Sequence, residues 1–269
     1  MKPLSELPLE QARSVRVVLS DIDDTITSDG ILTAAAYSAL EALHRAGFLV
    51  IPVTGRPAGW CDHIARMWPV DAVVGENGAF FFRYDRHKKR MHHHFWASPE
   101  ERRRNRTRLD QIEKEVLATV PGSALASDQA YRVADLAIDF CEDVPPLPEQ
   151  EVDRIVEIFE REGAQAKVSS IHVNGWFGAY DKLGMARTLL ADVFKIDWAE
   201  AQKSVIYAGD SPNDEPMFAA FPLSVGVANI SAFAHRLKNK PAYITQSHSG
   251  LGFAELATLL LQAKANTKG

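Results

Sequence analysis

Residues 15–25 have the sequence VRVVLSDIDDT, an apolar run that ends in a cluster of aspartates. A short apolar run bounded by turn-forming residues predicts a buried strand. Two further runs of this kind precede TGRP at residues 54–57 and GDSPND at residues 209–214. Polar motifs that follow buried strands predict an open α/β sheet with its chemistry at the carboxyl ends of the strands.

Strand-like and helical patterns alternate near both ends of the chain, which predicts a Rossmann-like parallel sheet. The middle of the chain has another order: a strand at 90–96, a charged helix at 99–118, a strand at 133–140, a helix at 149–162, and paired strands at 164–169 and 171–180. That order predicts an antiparallel sheet with helices on one face. We therefore predict an α/β protein whose core, residues 12–82 and 181–269, is interrupted by an inserted α+β cap domain at residues 83–180.

The composition is that of an ordinary soluble globular protein, with 269 residues, 46% of them hydrophobic and 24% charged. Its two cysteines, Cys61 and Cys141, favour a reducing compartment over a disulfide framework. No apolar run approaches the roughly 20 residues of a membrane span, and the N-terminal residues do not resemble a signal peptide. We predict a cytoplasmic protein that does not bind membranes.

Asp21 and Asp23 lie two residues apart at a strand end, so their side chains point the same way if the strand continues. Two carboxylates this close share either a proton or a cation. The first can attack a phosphoryl group, and the second can protonate the leaving oxygen and then activate water. The structural alternative is an aspartate-rich turn, because Asp is common in turns.

Asp210 and Asp214 follow another buried strand, and Gly209 permits tight backbone geometry between them and that strand. Hard carboxylate oxygens with room for water and phosphate suit Mg²⁺ far better than Zn²⁺. A cation here would offset the repulsion between a carboxylate nucleophile and an anionic phosphate. For Asp214 the alternative is charge stabilisation of a helix N-terminus.

Thr54 and Gly55 offer a hydroxyl and a backbone N–H to phosphate oxygens, and Arg56 adds a planar cationic fork. Lys182, at the start of a predicted helix, supplies a point charge over developing negative charge. Each of these motifs is weak alone, since TGR and DK occur in many proteins. The order and spacing of all four motifs are specific.

The four motifs resemble those of haloacid dehalogenase superfamily phosphatases of subgroup IIB, in which a large α+β cap lies between the second and third motifs. The resemblance covers nearly the whole chain, and the ENGA segment at residues 76–79 resembles a recurring turn of that subgroup. Members usually have Lys-Gly at the third motif, whereas Gly184 here follows Leu183.

The resemblance implies a role for each motif residue. Asp21 would be the nucleophile and Asp23 the general acid and base, while Thr54 and Lys182 would bind the transferring phosphoryl group. Mg²⁺ would be held by Asp21, the backbone carbonyl of Asp23 and Asp210, with Asp214 as a ligand or holding a bound water. We also expect Gly55, Arg56 and Asn213 to contact the substrate.

Relatives in this subgroup include sucrose-phosphate, trehalose-phosphate and mannosyl-3-phosphoglycerate phosphatases and phosphomannomutases, and the cap normally selects the substrate. Along residues 171–176, His172, Asn174 and Trp176 share one face of the predicted strand. We predict that His172 and Asn174 bind a sugar phosphate. The alternative is an exposed sheet face with Trp176 in the core.

Two competing functions are also compatible with the sequence. A phosphomutase would return the phosphoryl group to a sugar hydroxyl. A non-catalytic protein would bind a polyanion such as nucleic acid through residues 83–108, which hold ten Lys and Arg against three acids. That second function leaves the aspartates unexplained. His92-His93-His94 is not predicted to bind metal, because only two of the three share a strand face.

Overall fold

The computed structural model describes residues 1–265. The strands within them are β1 Lys2–Pro3, β2 Val17–Ser20, β3 Leu49–Pro52, β4 Val73–Gly75, β5 Phe80–Asp85, β6 Arg90–Phe95, β7 Ala124–Leu125, β8 Leu136–Asp139, β9 Gln165–Val168, β10 His172–Trp176, β11 Val205–Gly209, β12 Ser224–Gly226 and β13 Tyr243–Ile244. The α-helices are α1 Leu9–Ser14, α2 Ala34–Arg45, α3 Ala58–Met67, α4 Pro99–Thr119, α5 Glu149–Arg161, α6 Lys182–Asp192, α7 Trp198–Ser204, α8 Glu215–Ala220 and α9 Ser249–Ala265.

Six strands form one parallel sheet in the order β1-β13-β12-β11-β2-β3. Alternate residues of β2 point to opposite faces. Val18 packs in the hydrophobic cluster beneath α2 and α9, whereas Val17 and Leu19 pack in the cluster beneath α6. Because helices cover both faces, the strands are apolar on both sides. The predicted Rossmann-like core is confirmed.

A second sheet is antiparallel, in the order β7-β8-β10-β9. Its hydrophobic cluster combines Val116 of α4 and Ile155 of α5 with Ile138 and Val173 of the strands, so both helices cover the same sheet. The predicted α+β cap is confirmed. Strand β7 was not predicted, since two residues are too few for a periodic pattern.

A third sheet, β4-β5-β6, joins the core and corrects the predicted start of the cap. Residue 83 lies inside β5, and the strand predicted for the cap at 90–96 pairs as β6 with β5. Aromatic packing holds this hairpin, with the Phe80 and Phe82 rings stacked at 4.3 Å and Phe95 against both. The chain therefore leaves for the cap only after β6.

Two further features concern single helical turns. Thr33 caps α2, because its hydroxyl oxygen accepts a hydrogen bond from the Ala36 N–H. Residues Ala228–Phe233 form a 3₁₀ helix. The Thr245 hydroxyl accepts the Ala228 N–H and so ties the start of that turn to the segment after β13. Within residues 1–265, no helix combines the length and apolar character needed to cross a bilayer.

Candidate active site

The predicted motif residues come together at the carboxyl edge of the parallel sheet. Asp21 directly follows β2, Asp210 directly follows β11, and Thr54 lies two residues beyond the end of β3. Lys182 is the first residue of α6, whose N-cap Asp181 accepts a hydrogen bond from the Gly184 N–H. Leu183, the extra residue between Lys182 and Gly184, thus lies within the first turn of α6, and Lys182 lies at the sheet edge.

A turn at Glu76–Gly78 fixes the start of α6. Gly78 has a φ of 105°, and a Cβ at this position would lie 2.0 Å from the Asp181 carbonyl oxygen. Only glycine permits this approach of two backbones. The turn therefore sets where Lys182 enters the site.

Lys182 is buried between two carboxylates. Its Nζ lies 3.0 Å from Asp21 Oδ2 and 2.8 Å from Asp214 Oδ1. Burial alone would lower the pKa of Lys182, but Asp21 and Asp214 outweigh it and raise the pKa. The ammonium is therefore charged in the site and neutralises part of the aspartate charge.

Asp214 is hydrogen-bonded through both of its oxygens. Oδ1 accepts from the Tyr207 hydroxyl and Lys182, while Oδ2 accepts from the backbone N–H groups of Asp210 and Ser211. A Cβ at Gly209 would lie 2.4 Å from Asp214 Oδ2, so this position leaves no room for a side chain. These contacts make Asp214 the residue that holds Lys182 and the Asp210 loop in place.

Three carboxylates lie close enough to share one cation. Oxygen atoms of Asp21, Asp210 and Asp214 lie within 4.8 Å of one another, and all three residues are buried. Burial raises the pKa of Asp21 to about 8, with Lys182 opposing the effect, and burial also raises the pKa of Asp210. Because one ammonium faces three acids, the donor set fits a small divalent cation that accepts oxygen ligands.

Thr54 and Gly55 lie in the loop that follows β3, at the edge of the site. Thr54 is fully buried, and its hydroxyl oxygen accepts the Arg56 N–H at 3.0 Å. A Cβ at Gly55 would lie 3.2 Å from the Asn77 side chain and 3.5 Å from Asn174 Oδ1. The lack of a side chain at Gly55 therefore lets the cap residue Asn174 approach the core.

Arg56 does not point a free guanidinium at the predicted phosphate position. Its Nε donates to Asp23 Oδ1 at 2.9 Å, and its terminal nitrogens donate to Asp128 Oδ2 at 3.2 Å and Glu142 Oε1 at 2.6 Å. Asp128 and Glu142 belong to the cap. The Arg56 guanidinium, which was predicted to bind substrate, thus links Asp23 to the cap.

A narrow cavity of about 10 Å³ lies between core and cap beside Asp21 and Asp23. Its walls include the other residues that were predicted to contact the substrate: Gly55, His172, Asn174 and Asn213. His172 Nε2 lies 2.8 Å from Glu142 Oε2, and Asn174 Nδ2 donates to Asp135 Oδ2 at 3.1 Å. Asn213 Oδ1 accepts the Ser211 hydroxyl. His172 and Asn174 are buried rather than on an exposed sheet face.

A group of charged residues lies at the core–cap contact, and of these only Arg56 was predicted from the sequence as a site residue. We call them the junction network; its members are Arg56, Glu76, Asp128, Arg132, Asp135 and Glu142. Arg132 is buried and pairs with Asp128 and Asp135, and it donates to the Gly55 carbonyl oxygen at 2.8 Å. The only sequence signal was the i, i+3 and i, i+4 spacing of Arg132 with its acids, which is common on protein surfaces.

Glu76 is the core member of that network with the most backbone contacts. Its carboxylate is fully buried and accepts the N–H groups of Ala58 in the core and of Val133, Ala134 and Asp135 in the cap. Burial and the neighbouring Asp135 raise the pKa of Glu76 to about 8. One acidic side chain thereby connects α3 to the segment that precedes β8.

A known protein family matches part of the chain. The model of the haloacid dehalogenase-like hydrolase family matches residues 18–101, a range that contains Asp21, Asp23 and Thr54. The predicted resemblance to this superfamily of enzymes is confirmed. No curated protein sequence matches the chain significantly.

Solved structures share the fold over nearly the whole chain. The C-terminal domain of the trehalose-6-phosphate phosphatase of C. albicans has 14% identity and a TM-score of 0.71, over 97% of this chain and 98% of that one. The sucrose-phosphatase of Synechocystis sp. PCC6803, solved with sucrose and phosphate, has 17% identity and a TM-score of 0.61, over 92% and 98%. A Thermoplasma acidophilum protein has 18% identity and a TM-score of 0.67, over 91% and 98%. At these identities the likeness establishes the fold.

Proposed function

We propose, from the confirmed resemblance to haloacid dehalogenase-like hydrolases, that this chain is a Mg²⁺-dependent phosphatase that acts through an aspartyl-phosphate on a small phosphorylated metabolite. The observation that carries the proposal is the buried cluster in which Lys182 contacts Asp21 and Asp214 at the carboxyl edge of the parallel sheet. A carboxylate beside a fixed ammonium, at the site where α/β sheets bind ligands, suits attack on an anionic phosphoryl group.

The proposed reaction has two steps. A carboxylate oxygen of Asp21 forms a bond to phosphorus while the bond from phosphorus to the leaving oxygen breaks, and Asp23 gives its proton to that oxygen. Asp23 then takes a proton from a water molecule that attacks the phosphoaspartate, which releases inorganic phosphate and restores Asp21. Lys182 balances charge on the phosphoryl group in both steps, and Thr54 is proposed to bind its oxygens.

Mg²⁺ would supply charge neutralisation for the incoming phosphate. We assign Asp21, Asp210 and the backbone carbonyl of Asp23 as its protein ligands, because these are the predicted ligands that retain free lone pairs. Asp214 already accepts four hydrogen bonds, so we assign it the role of positioning Lys182 and the Asp210 loop.

A sugar phosphate is the substrate class that the cap favours. His172 and Asn174 are buried polar side chains that line the narrow cavity with Asp21, and each retains a capacity for hydrogen bonds to hydroxyl groups. The similar structures include phosphatases named for trehalose 6-phosphate and sucrose phosphate. We propose that Gly55 and Asn213 also contact the substrate, and that Arg56 acts on it indirectly through Asp23.

The competing functions have less support. A phosphomutase needs a sugar bisphosphate, yet the cavity of about 330 Å³ beside Asp23 is lined by the acids Asp24, Asp29 and Glu142. For a polyanion-binding protein, basic side chains of residues 83–108 are engaged internally: Arg106 pairs with Asp110 and Glu113, and Arg108 packs on the Phe177 ring. A requirement for added bisphosphate, or steeply salt-dependent nucleic-acid binding, would favour these alternatives.

Asp21→Asn tests the proposal directly. The substitution keeps the shape but removes the attacking anion and a metal ligand, so we expect loss of nearly all turnover in a Mg²⁺-supported screen of phosphorylated metabolites, with the fold retained by circular dichroism. The matched control is Asp192→Asn at the exposed end of α6, which should leave turnover unchanged. A loss in Asp21→Asn smaller than about tenfold, roughly 1.4 kcal/mol in barrier, would contradict the assignment.

Asp23→Asn separates the acid from the nucleophile. This variant keeps Asp21 and the backbone carbonyl, so it should still bind Mg²⁺ but lose leaving-group protonation, typically worth about 10²–10⁴ in rate. The loss should be smaller for an aryl phosphate, whose leaving group needs little help from a proton. Equal losses on aryl and alkyl phosphates would show that Asp23 is not the acid.

A further inference from the structure

A cavity of about 490 Å³ lies beside the phosphoryl site, between α3 of the core and Tyr131 of the cap. We call it the aromatic cavity, since most of its walls are apolar or aromatic; they include Ile22, Leu32, Trp60, Ile64, Trp68 and Tyr131. Its volume is within the range of small-molecule sites, roughly 300–1,000 Å³.

Asp23 connects this cavity to the proposed chemistry. It lines both the aromatic cavity and the narrow cavity that contains Asp21. A general acid must reach the leaving oxygen, so the leaving oxygen lies within hydrogen-bond distance of Asp23. The rest of the leaving group must then occupy a space that borders Asp23. The narrow cavity has a volume of about 10 Å³, about that of one water position, so it has room for a phosphoryl oxygen or a single hydroxyl but not for the ring of a leaving group. The aromatic cavity has the required space.

Trp60 offers this cavity an open stacking surface. Its side chain is 43% exposed, and the guanidinium of Arg56 lies 4.5 Å from the ring. That same guanidinium binds Asp23, so the indole and the proposed acid are held by one group. Tyr131 of the cap also lines the cavity and packs close to the residue before Trp60, since a Cβ at Gly59 would lie only 2.9 Å from Tyr131 Cβ.

The surrounding charges disfavour an anionic leaving group. The aromatic cavity is lined by the acid Asp23 and by His63, and its lining within residues 1–265 contains no Lys or Arg. The adjoining cavity adds Asp24, Asp29 and Glu142, and its one guanidinium, Arg56, is already paired with Asp23 and Glu142. A second negative charge on the substrate would therefore be desolvated near acids without a free cation.

We propose that the aromatic cavity binds the leaving group of the substrate, and that this group is an uncharged ring with an apolar face that stacks on Trp60. The inference rests on the proposed phosphatase function and narrows its substrate class. Both an aryl group and a pyranose present such a face, and the test below distinguishes them.

The test compares three substrates with the full-length protein in Mg²⁺: phenyl phosphate, glucose 6-phosphate and glycerol 3-phosphate, the last being acyclic. We expect Trp60→Ala to lower kcat/KM about threefold to tenfold for at least one ring substrate and to leave glycerol 3-phosphate unchanged. Trp60→Phe should restore the ring preference. Tyr37→Ala, at a partly exposed aromatic residue of α2, is the control and should have no effect.

The two ring substrates separate the sources of the ring. An effect confined to phenyl phosphate identifies an aryl ligand, and one confined to glucose 6-phosphate identifies a pyranose. An equal fall on all three substrates would overturn the proposal, because Trp60 would then act through Arg56 on the chemistry. No change on any substrate would also overturn it.

A charged ring tests the second half of the proposal. 4-Carboxyphenyl phosphate has the ring of phenyl phosphate plus one carboxylate, and we expect its kcat/KM to be roughly tenfold lower. Equal or faster turnover would contradict an uncharged leaving group.

Binding gives a readout that does not depend on turnover. Phenyl phosphate should quench tryptophan fluorescence in the wild type more strongly than methyl phosphate does, and Trp60→Phe should reduce the difference to what Trp68, the other tryptophan of the cavity, contributes. If no phosphate ester is hydrolysed but this quenching is present, the proposed function fails while the cavity assignment stands. Equal quenching by both esters would overturn the assignment of the cavity.

Discussion

The phosphoryl site and the junction network both bury charges, but they are held in different ways. In the phosphoryl site, Lys182 contacts Asp21 and Asp214, and all three belong to the core. In the junction network, Arg56 of the core binds Asp128 and Glu142 of the cap. The first arrangement needs only the parallel sheet and α6, whereas the second exists only while the cap lies on the core. The ion pairs of Lys182 therefore do not depend on the cap, whereas Asp23 is linked to the cap through Arg56.

The largest effect is expected from Lys182→Met, which leaves Asp21 and Asp214 buried without their cation. Removing one partner of a buried ion pair typically costs about 3–5 kcal/mol, and we expect a loss of this size in urea unfolding, together with loss of turnover. Lys203→Met, at an exposed position of α7, is the control and should change stability by less than about 0.5 kcal/mol. Unchanged stability in Lys182→Met would show that the ammonium is not needed to hold the cluster.

Arg56→Met tests the other side of the comparison. It removes the hydrogen bonds to Asp23, Asp128 and Glu142, so we expect faster amide hydrogen exchange in the cap segments that face the core, while exchange within β2 and β11 stays slow. We expect a total loss of roughly 2–4 kcal/mol, less than for Lys182, because Glu142 can regain water.

The matched control for Arg56 is Arg66→Met in the same part of the chain. Arg66 pairs with Asp62 on the exposed face of α3, and such surface pairs contribute little to stability because water screens them. Equal exchange rates in the two variants would mean that Arg56 does not hold the cap.

The smallest effect is expected from Glu142→Gln and depends on pH. Burial alone would raise the pKa of Glu142, but hydrogen bonds from His172 and Arg56 outweigh it and lower the pKa to about 2. A lowered folded-state pKa gives stability that is present above the ordinary value of 4.5 and is lost as pH falls toward about 2. The Gln variant lacks this contribution at every pH.

We therefore expect Glu142→Gln to be less stable than the wild type by about 1 kcal/mol at pH 7, and the difference in Tm to shrink as pH is lowered from 5 toward 2.5. Glu100→Gln, which alters a pair on the exposed face of α4, should show little difference across this range. If the difference in Tm between Glu142→Gln and the wild type instead grows toward low pH, the Glu142 carboxylate is not stabilised by Arg56.

The positions of Asp21 and Asp210 were predictable because they depend on short stretches of sequence. Asp21 and Asp210 each follow a short apolar run, and the carboxyl ends of parallel strands meet at one edge of a sheet. Lys182 was found from its helix start and from the resemblance. The strand β5 was missed although Phe80–Asp85 begins with three phenylalanines, because its role depends on pairing with β4 and β6.

The role of Arg56 was not predictable in the same way. Its partners Asp128 and Glu142 lie 72 and 86 residues further along the chain, and no local pattern specifies which acids will meet it. Glu76 is a similar case: it lies in a recognisable turn, but its contacts with Val133 and Ala134 form only across the core–cap contact.

The amino-acid sequence by itself determined a parallel core with an inserted cap, and it determined which carboxylates stand at the strand ends and which lysine begins α6. These properties follow from hydrophobic periodicity and from the chain direction of parallel strands, which act over a few residues. The tertiary structure alone decided that Arg56 binds cap acids, that Asp214 is saturated with donors, and that Trp60 faces a cavity beside Asp23. Those properties depend on burial and on the partners that distant segments bring, because a charge removed from water must be paired with whichever group the fold places beside it.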